Sequence, residues 1–392
     1  MPNSKTIRIL GIKIDKLTVK EILEKIEGFL LSNSQYYIVT LNSEMALEAQ
    51  KDEEYFYILN DADLSVVDGS GLKFAGLATG NNFKRVPGAD LTKKILRIAE
   101  NKKLKIAVLN WSRGLSVKEN IERALAEKYP DLKFIVENIE RDLVDFAKTE
   151  NLARLQKFEP NILFITLGAP YQEKFIYHNL SKIPSAKLAL GVGGSFDFIS
   201  GKLRRAPLIF QKLGIEWFWR LIMQPWRWRR IYNAVIIFPY KFIKWRFINR
   251  FFYRKNVVGF IFNDQNQVLI VSRAGERDYW GLPQGGVDSE ESDDDAILRE
   301  MKEETNIDNI DILRKFENIY KYKWPKGYTH SGYKGQRQTL YILKFNGENN
   351  EIKLSPWELK DWKWVEIDKL ISEADEVHKK AYQIFLEKFR SV

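Results

Sequence analysis

The sequence has no cysteine and only three histidines among its 392 residues. The missing cysteine excludes disulfides, thiolate metal sites and a cysteine nucleophile, and it is typical of a reducing compartment. His178, His330 and His378 lack the spacing of metal ligands, so we interpret them as structural or surface residues. Because no run of about 18 apolar residues occurs, we expect no membrane-spanning helix. Residues 1–10 also lack the apolar core of a signal peptide.

Acidic residues are nearly missing from residues 202–255, where 14 lysines and arginines face a single acid, Glu216. The whole chain carries +10, and outside this segment 48 basic residues stand against 51 acidic ones. The basic excess is therefore local. Aromatic residues interleave with it, and Pro225 and Pro239 predict a division into short helices. Three partners fit this composition: a membrane surface with its lipid phosphates, RNA, or another domain of the same chain.

Residues 1–201 alternate short apolar runs with amphipathic stretches. The runs predict buried parallel strands at 36–41, 104–110, 161–168 and 187–194. The amphipathic stretches predict helices that include 89–101, 116–128 and 142–158. This alternation indicates an α/β fold with a doubly wound, Rossmann-like sheet, whose ligands bind at the carboxyl ends of the strands.

Polar residues cluster where these strands end. Thr40 and Asn42 close the first strand, and Asp68 precedes two glycines at the end of another. A carboxylate in that position is a candidate general base, although a turn or helix cap is the more common role of a single strand-end aspartate. Glycine loops such as 191–194 let backbone amides approach a phosphate.

Taken in order, these fragments (VTLNSE, ADLSVVDGSGL, RVPGADL, LGAPYQEKF and GVGGSFDFISGKLRRAP) resemble the WecG/TagA/CpsF glycosyltransferase family over residues 8–246. The resemblance implies inverting transfer of N-acetylmannosamine, or its uronic acid, from a UDP-sugar to N-acetylglucosamine on undecaprenyl diphosphate. It implies no essential metal or other cofactor for this half. Asp68 is then the base and Thr40 lines its pocket. The expected substrate contacts are Asn42, Arg85, Gln172 and Gly193. This chain has Asn110 and Trp111 where members usually have a glycine pair, which leaves the donor sugar open.

By the same resemblance, residues 202–255 are a basic appendage that docks on an anionic membrane and closes over the lipid diphosphate. Arginine is suited to bidentate phosphate contacts. The candidate phosphate ligands are Arg204, Arg205, Arg220, Arg227 and Arg230. The expected location is cytoplasmic, peripheral at the inner face of the cell membrane. Whether copies of the chain form a homo-oligomer stays open.

Residues 256–392 begin with an apolar hairpin that turns near 264–267 and continue as a second α/β unit. Ser292 and Asp295 predict a capping box at the start of a helix. Glu300, Glu303 and Glu304 follow at i, i+3 and i+4, where like charges repel by about 0.2–0.5 kcal/mol per exposed pair. Three glutamates alone are commonly a solvated helix face. Beside a glycine-rich loop they suggest a cation site, and oxygen ligands favour Mg or Mn.

The full spacing from Gly285 to Ile307 resembles the Nudix box, which implies an α/β/α-sandwich hydrolase domain. Glu300, Glu303 and Glu304 then hold Mg, and Glu303 or Glu304 activates water. Arg299 is expected to hold Glu291. Asn306 replaces the usual last glycine, and asparagine is the next-best residue for a left-handed C-cap.

The sequences RDYWGLPQGG, YKGQRQTLYILKF and PWELKDWKWV resemble the branch that hydrolyses diadenosine polyphosphates and the 5′ ends of RNA. In that branch Glu358 is an additional metal ligand or base. Candidate phosphate or base contacts, which could equally be ordinary surface residues, are Arg273, Arg277, Lys321 and Gln336. The sequence thus predicts a bifunctional enzyme. The alternatives are a Nudix hydrolase whose first domain only anchors it to membrane or RNA, and a transferase whose Nudix module only senses nucleotides.

Overall fold

A computed structural model describes residues 6–141, 146, 149–207, 210, 216–273, 280–288, 290–324, 332–355, 357–374 and 378–391. Arg277, His330 and the side chain of Arg220 lie outside this description. The chain forms two compact units, residues 1–243 and 244–392. This division falls inside the 202–255 segment. Lys334 N donates to Phe252 O at 3.0 Å, so the end of that segment packs with the second unit.

The first unit is built on a six-stranded parallel sheet and a small antiparallel hairpin. The hairpin strands are β1 (Thr6–Ile9) and β2 (Ile12–Asp15). The sheet strands are β3 (Tyr36–Leu41), β4 (Leu64–Val67), β5 (Lys105–Trp111), β6 (Lys133–Ile139), β7 (Ile162–Ile165) and β8 (Leu188–Gly191). They lie in the order β4-β3-β8-β7-β5-β6, which is the doubly wound arrangement that the sequence predicts.

Helices connect the strands of this sheet. They are α1 (Val19–Leu31), α2 (Ser43–Glu48), α3 (Glu53–Asp61), α4 (Ser70–Ala78), α5 (Gly88–Asn101), α6 (Lys118–Lys128), α7 (Glu150–Phe158), α8 (Tyr171–Asn179) and α9 (Ser195–Ile199). Strands β7 and β8 are buried at every position because the sheet is covered on both faces. That burial explains their unbroken apolar sequence. The hairpin, which no sequence pattern predicted, adds Ile9, Ile12 and Ile14 to the buried residues.

The basic segment of the first unit is helical over most of its described length. It contains α10 (Glu216–Met223), α11 (Trp228–Tyr232), a π-helical turn (Asn233–Ile237) and α12 (Phe238–Ile243). Pro225 begins a new helical turn after the first helix, as predicted. Pro239 does not interrupt the helical segment, because it lies within α12. The π-helical turn before it takes up the clash between a proline ring and the preceding turn.

One row of apolar side chains in this segment is exposed to solvent. Trp228, Tyr232, Ile236 and Tyr240 fall on every fourth residue, and each is 49–62% exposed. Residues at that spacing share one face of a helix. Within the described part of the chain, no helix combines the length and apolarity needed to cross a bilayer.

The second unit contains a seven-stranded mixed sheet. Its strands are β9 (Arg254–Phe262), β10 (Gln267–Arg273), β11 (Trp280–Gly281), β12 (Gln284–Gly286), β13 (Ile310–Lys323), β14 (Gly335–Phe345) and β15 (Leu359–Glu366). The main path runs β11-β10-β9-β14-β13, with β12 paired to β9 and β15 to β10. Val268 pairs with Phe262, which confirms the predicted hairpin.

Helices cover both faces of this sheet and make it an α/β/α sandwich. They are α13 (Asp293–Thr305), α14 (Leu370–Glu373) and α15 (Lys379–Phe389). Ile297 and Met301 of α13 pack on one face with Val257 and Ile261. Tyr382 of α15 belongs to the core on the other face.

Candidate active sites

Three of the residues named from the sequence, Thr40, Asp68 and Arg85, lie at the carboxyl ends of β3 and β4. A methyl group placed on Gly88 would lie 3.3 Å from Thr40 Oγ1 and 3.7 Å from Asp68 Oδ2, so the amino end of α5 touches both side chains. Thr40 is buried and donates to Gly191 O at 3.4 Å, while Asp68 is half-buried. Arg85 Nε donates to Asp68 O at 2.5 Å. The arginine therefore fixes the backbone next to the candidate base.

Asn42 starts α2. Its Oδ1 accepts hydrogen bonds from Glu44 N at 2.9 Å and from Met45 N at 3.1 Å. This is a standard helix N-cap. The side-chain oxygen is thereby committed to the fold, so Asn42 positions the loop after β3 as well as bordering the site.

Gln172 and Gly193 lie at the neighbouring strand ends, where Gln172 joins two glycine loops. Its Oε1 accepts from Gly168 N at 3.1 Å and from Gly193 N at 3.0 Å, and the side chain is buried. The two loops follow β7 and β8. Gln172 therefore shapes the site from beneath, and its carbonyl oxygen is already used twice inside the protein.

Glu173 lies beside Gln172 and was not identified from the sequence. It is completely buried, accepting from Gln172 Nε2 at 2.7 Å and from the Tyr55 hydroxyl at 3.1 Å. Burial raises its pKa to about 7, although both hydrogen bonds act in the opposite direction. Because Tyr55 is 118 residues away in sequence, no local pattern could have marked this carboxyl group.

Arg141, also absent from the sequence-based candidates, lies beyond the end of β6. Its guanidinium carbon is 3.7 Å from the centroid of the Trp111 ring and 4.8 Å from that of Tyr171. Its Nε donates to Leu167 O at 2.8 Å. Asn110 is buried just before Trp111 and accepts from Thr166 Oγ1 at 3.0 Å. The pair that replaces the usual glycines therefore builds an aromatic wall and a buried polar anchor.

The arginines of the basic segment fall into two groups. Arg205 makes a bidentate pair with Asp90, at 2.5 and 3.0 Å, and Arg230 makes one with Glu44, at 2.6 Å for both contacts. Arg227 Nη1 donates to Gln224 at 2.9 Å, while Arg204 is exposed. Two of the candidate phosphate ligands thus already tie the segment to α2 and α5.

A cleft of about 260 Å³ lies where this segment meets α2. Asn42, Glu44, Pro170, Arg230 and Lys241 are among the residues that line it. It borders the strand ends through Asn42 and the appendage through Arg230 and Lys241. The cleft can therefore admit a charged group close to the Asp68 edge of the sheet.

The second site is the loop and helix that run from Gly285 to Asn306. Only glycine fits at position 285, because a methyl group there would lie 1.7 Å from the Glu300 carboxyl carbon. Glu300 is buried against this backbone. Glu304 is buried as well and accepts from Gln284 N at 3.1 Å, while Glu303 is about half exposed. The glycine loop therefore packs directly against the helix that carries the glutamates.

Arg299 donates hydrogen bonds to three carboxylates of this loop and helix. It makes a bidentate pair with Glu291 at 2.7 and 2.9 Å, as the sequence predicts. Its Nη1 also lies 2.9 Å from both Glu300 Oε1 and Glu303 Oε2. Hydrogen bonding to Arg299 lowers the pKa of Glu291, and the same contact raises the pKa of Arg299.

Both ends of α13 have the predicted capping residues, but the full capping box does not form. Ser292 Oγ accepts from Asp295 N at 3.1 Å and donates to Asp295 Oδ2 at 2.6 Å. Asn306 closes the helix in the left-handed conformation, with φ of 60°, which confirms the predicted substitute for glycine.

The structure also places three other candidates of this domain, Glu358, Arg273 and Gln336. The loop that bears Glu358 is bonded to it, since Ser355 N donates to Glu304 O at 3.0 Å and Glu358 N donates to Ser355 O at 3.2 Å. Arg273 ends β10 opposite Leu359, and Gln336 accepts from the Tyr322 hydroxyl. The donor set is entirely oxygen, and a cationic guanidinium bridges two of its members. Carboxylate oxygens of Glu300 and Glu303 lie within 4.8 Å of each other, and such an all-oxygen pair fits a divalent cation, which these two residues would hold.

Comparison with known proteins gives matches for both units. The glycosyl transferase WecG/TagA/CpsF family model matches residues 7–251, and the NUDIX domain model matches residues 252–386. N-acetylglucosaminyldiphosphoundecaprenol N-acetyl-beta-D-mannosaminyltransferase of Bacillus subtilis (strain 168) is 34% identical, over 50% of this chain and 74% of that protein. The Staphylococcus aureus (strain MRSA252) protein of the same name is 32% identical, over 62% and 94%. A solved structure of a C. elegans Ap4A hydrolase is 26% identical over 36% of this chain and 98% of its own, with a TM-score of 0.28.

Proposed function

Because the chain belongs to the glycosyl transferase WecG/TagA/CpsF family and carries a NUDIX domain after it, we propose that it is a bifunctional enzyme. One unit transfers an N-acetylmannosamine-type sugar from a UDP-sugar to N-acetylglucosamine on undecaprenyl diphosphate. The other hydrolyses a diphosphate linkage in a nucleoside polyphosphate or at an RNA 5′ end. The relatives in B. subtilis and S. aureus, whose name describes the first reaction, support that choice of substrates.

The proposed transfer centres on Asp68. The acceptor hydroxyl attacks the anomeric carbon of the donor sugar, the bond from that carbon to the diphosphate oxygen breaks, and UDP leaves. Asp68 accepts the hydroxyl proton as general base. The observation that carries this proposal is the approach of Thr40 and Asp68 to the same edge of Gly88, at the carboxyl ends of two parallel strands.

The test is Asp68→Asn, assayed with UDP-N-acetylmannosamine and a lipid-diphosphate acceptor. We expect transfer to fall by about 10²–10⁴-fold, the usual contribution of a general base. Hydrolysis by the other unit is unaffected. Asp63→Asn is a matched control, because Asp63 precedes the same strand and accepts from Tyr37 N, away from the site. Full transfer by Asp68→Asn would remove Asp68 as the base.

The proposed hydrolysis breaks a P–O–P bridge by attack of water on phosphorus. Glu303 or Glu304 accepts the proton of that water, and the leaving phosphate departs with the bridging oxygen. A bound divalent cation, Mg or Mn, supplies charge neutralisation at the phosphate oxygens and a more acidic water. Two contacts support this assignment: Glu300 packs against Gly285, and Arg299 bridges Glu300 and Glu303. Glu304 is buried on the same helix and accepts from Gln284 N.

Attachment to the cytoplasmic face of a membrane completes the proposal. Support comes from the exposed row of Trp228, Tyr232, Ile236 and Tyr240, which lies in a segment with 14 basic residues and one acid. Such a face binds the headgroup region of anionic lipid. Replacing Trp228 and Tyr240 together by serine is expected to release the chain from phosphatidylglycerol vesicles in a flotation assay. Leu115→Ser, another exposed apolar position, is the control. Equal flotation of all three proteins would contradict the attachment.

A further inference from the structure

Three basic residues lie side by side across the sheet of the second unit. Lys321 of β13 pairs in register with Arg337 of β14, and Arg337 pairs in register with Lys255 of β9. Residues paired in this way point to the same face of a sheet, and like charges at such positions repel. Within the described part of the chain, no ion pair involves Lys255 or Arg337. The row therefore carries uncompensated positive charge.

A pocket of about 250 Å³ opens on this row. Lys255, Arg337 and Lys315 bring three cations to its wall, and Asp293 and Glu317 bring two acids. Both acids already have partners. Asp293 accepts from Thr339 Oγ1 at 3.1 Å, and Glu317 lies 3.6 Å from Lys315. Lys255 and Arg337 are the groups left to meet a ligand.

Two further features add positive potential or shape to the pocket. The wall includes Asp293, the first residue of the 13-residue helix α13, whose amino end carries the positive end of the helix dipole. Asn318 also lines the pocket, with φ of 53°, where the pairing of β13 with β14 is irregular between Phe316 and Tyr320.

We propose that this pocket binds an oligophosphate anion, with Lys255 and Arg337 as its principal ligands. An oligophosphate fits because its negative charges are spaced along the molecule. The two cations lie on neighbouring strands, so each can contact a different phosphate group. Val287 N donates to Lys255 O at 3.3 Å, so the loop that leads to Glu291 begins beside the pocket. Given the proposed hydrolase function, the pocket would hold the phosphates that extend beyond the linkage cleaved.

The test is calorimetric titration of the full chain with inorganic tripolyphosphate in EDTA, which removes any contribution from a bound divalent cation. We expect Lys255→Ala and Arg337→Ala each to weaken binding at least about tenfold, in line with the loss of a charged hydrogen bond. The double variant should lose it. Lys344→Ala removes the same charge from β14 at a residue that pairs with Asp264, and it should leave binding within about twofold. Lys255→Arg should restore binding and so exclude a folding defect.

Competition identifies the source of the phosphates. Displacement of tripolyphosphate by ATP indicates a nucleotide ligand, and displacement only by a 5′-triphosphorylated RNA indicates an RNA end; displacement by neither contradicts the proposal. The proposed pocket is also contradicted if wild type does not bind tripolyphosphate at millimolar concentration. The same holds if Lys344→Ala weakens binding as much as Arg337→Ala. Glu304→Gln should keep the binding. The titration therefore tests the phosphate pocket independently of the proposed hydrolase activity, so either proposal can be contradicted without the other.

Discussion

The two units build their candidate sites in opposite ways. The site of the first unit gathers Thr40, Asp68 and Gln172 from strand ends that are far apart in sequence. The site of the second unit takes Gly285, Arg299 and Glu304 from 20 consecutive residues. In the first, polar groups are largely held by backbone contacts; in the second, one arginine balances several carboxylates. Substitutions should therefore act locally in the second unit and through the fold in the first.

The largest expected effect is on hydrolysis by Glu304→Gln. Glu304 is buried in the carboxylate cluster, so loss of its charge should lower hydrolysis of a diadenosine or nucleoside polyphosphate by about 10²–10⁴-fold. Sugar transfer should not change, because the residue belongs to the other unit. Glu387→Gln, an exposed glutamate on α15, is the control in the same steady-state assay. An active Glu304→Gln protein would contradict the assignment of this cluster.

Gly285→Ala should be the next most damaging change. The new methyl group would overlap the Glu300 carboxyl group, and overpacking of this kind costs about 1–3 kcal/mol. Relief of the overlap moves Glu300, so hydrolysis should fall by about tenfold or more while the fold is kept. Gly28→Ala, where a methyl group meets nothing within 4 Å, should leave both activities unchanged. Retained hydrolysis in Gly285→Ala would mean that Glu300 can move without consequence.

Glu173→Gln tests the buried network of the first unit through pH. The folded carboxyl has a pKa of about 7 against 4.5 for the unperturbed group, so between these values the folded chain keeps a proton that the unfolded chain releases. Stability conferred by the wild-type residue therefore falls as pH rises through this window, by about 3 kcal/mol. The free energy of unfolding of Glu173→Gln minus that of wild type should therefore be larger at pH 8 than at pH 5. Thermal unfolding at the two pH values measures this, and a difference independent of pH would contradict the raised pKa.

Glu44→Gln should have the smallest effect. It removes the bidentate partner of Arg230, an exposed pair of the kind that contributes about 0.2–1 kcal/mol. The expected change in thermal unfolding is correspondingly slight, and it should shrink further at high salt. A loss of several kcal/mol would show that this contact, rather than apolar packing, holds the basic segment on α2.

How well the sequence predicted each site follows from the same contrast. The glutamate cluster could be read from spacing alone, because a helix brings i, i+3 and i+4 together without help from the rest of the chain. Asp68 and Thr40 could be placed at one sheet edge because parallel strands share their carboxyl ends. Four strands and the chain reversal at 264–267 followed from apolar patterns in the same way.

Other features depend on contacts that no local pattern records. Glu173 acquires its environment from Tyr55, and Arg141 from Trp111 and Tyr171, all distant in sequence. The pairing of Arg205 with Asp90 and of Arg230 with Glu44 likewise required the folded chain. Pro239 was expected to divide the basic segment, but a π-helical turn absorbs it.

The central claim is that one chain carries two independent active sites. Its most direct test is to measure sugar transfer and diphosphate hydrolysis side by side in the wild-type chain, in Asp68→Asn and in Glu304→Gln. We expect wild type to perform both reactions, Asp68→Asn to lose only transfer, and Glu304→Gln to lose only hydrolysis. Loss of both activities in either variant, or absence of one activity from the wild-type chain, would contradict it.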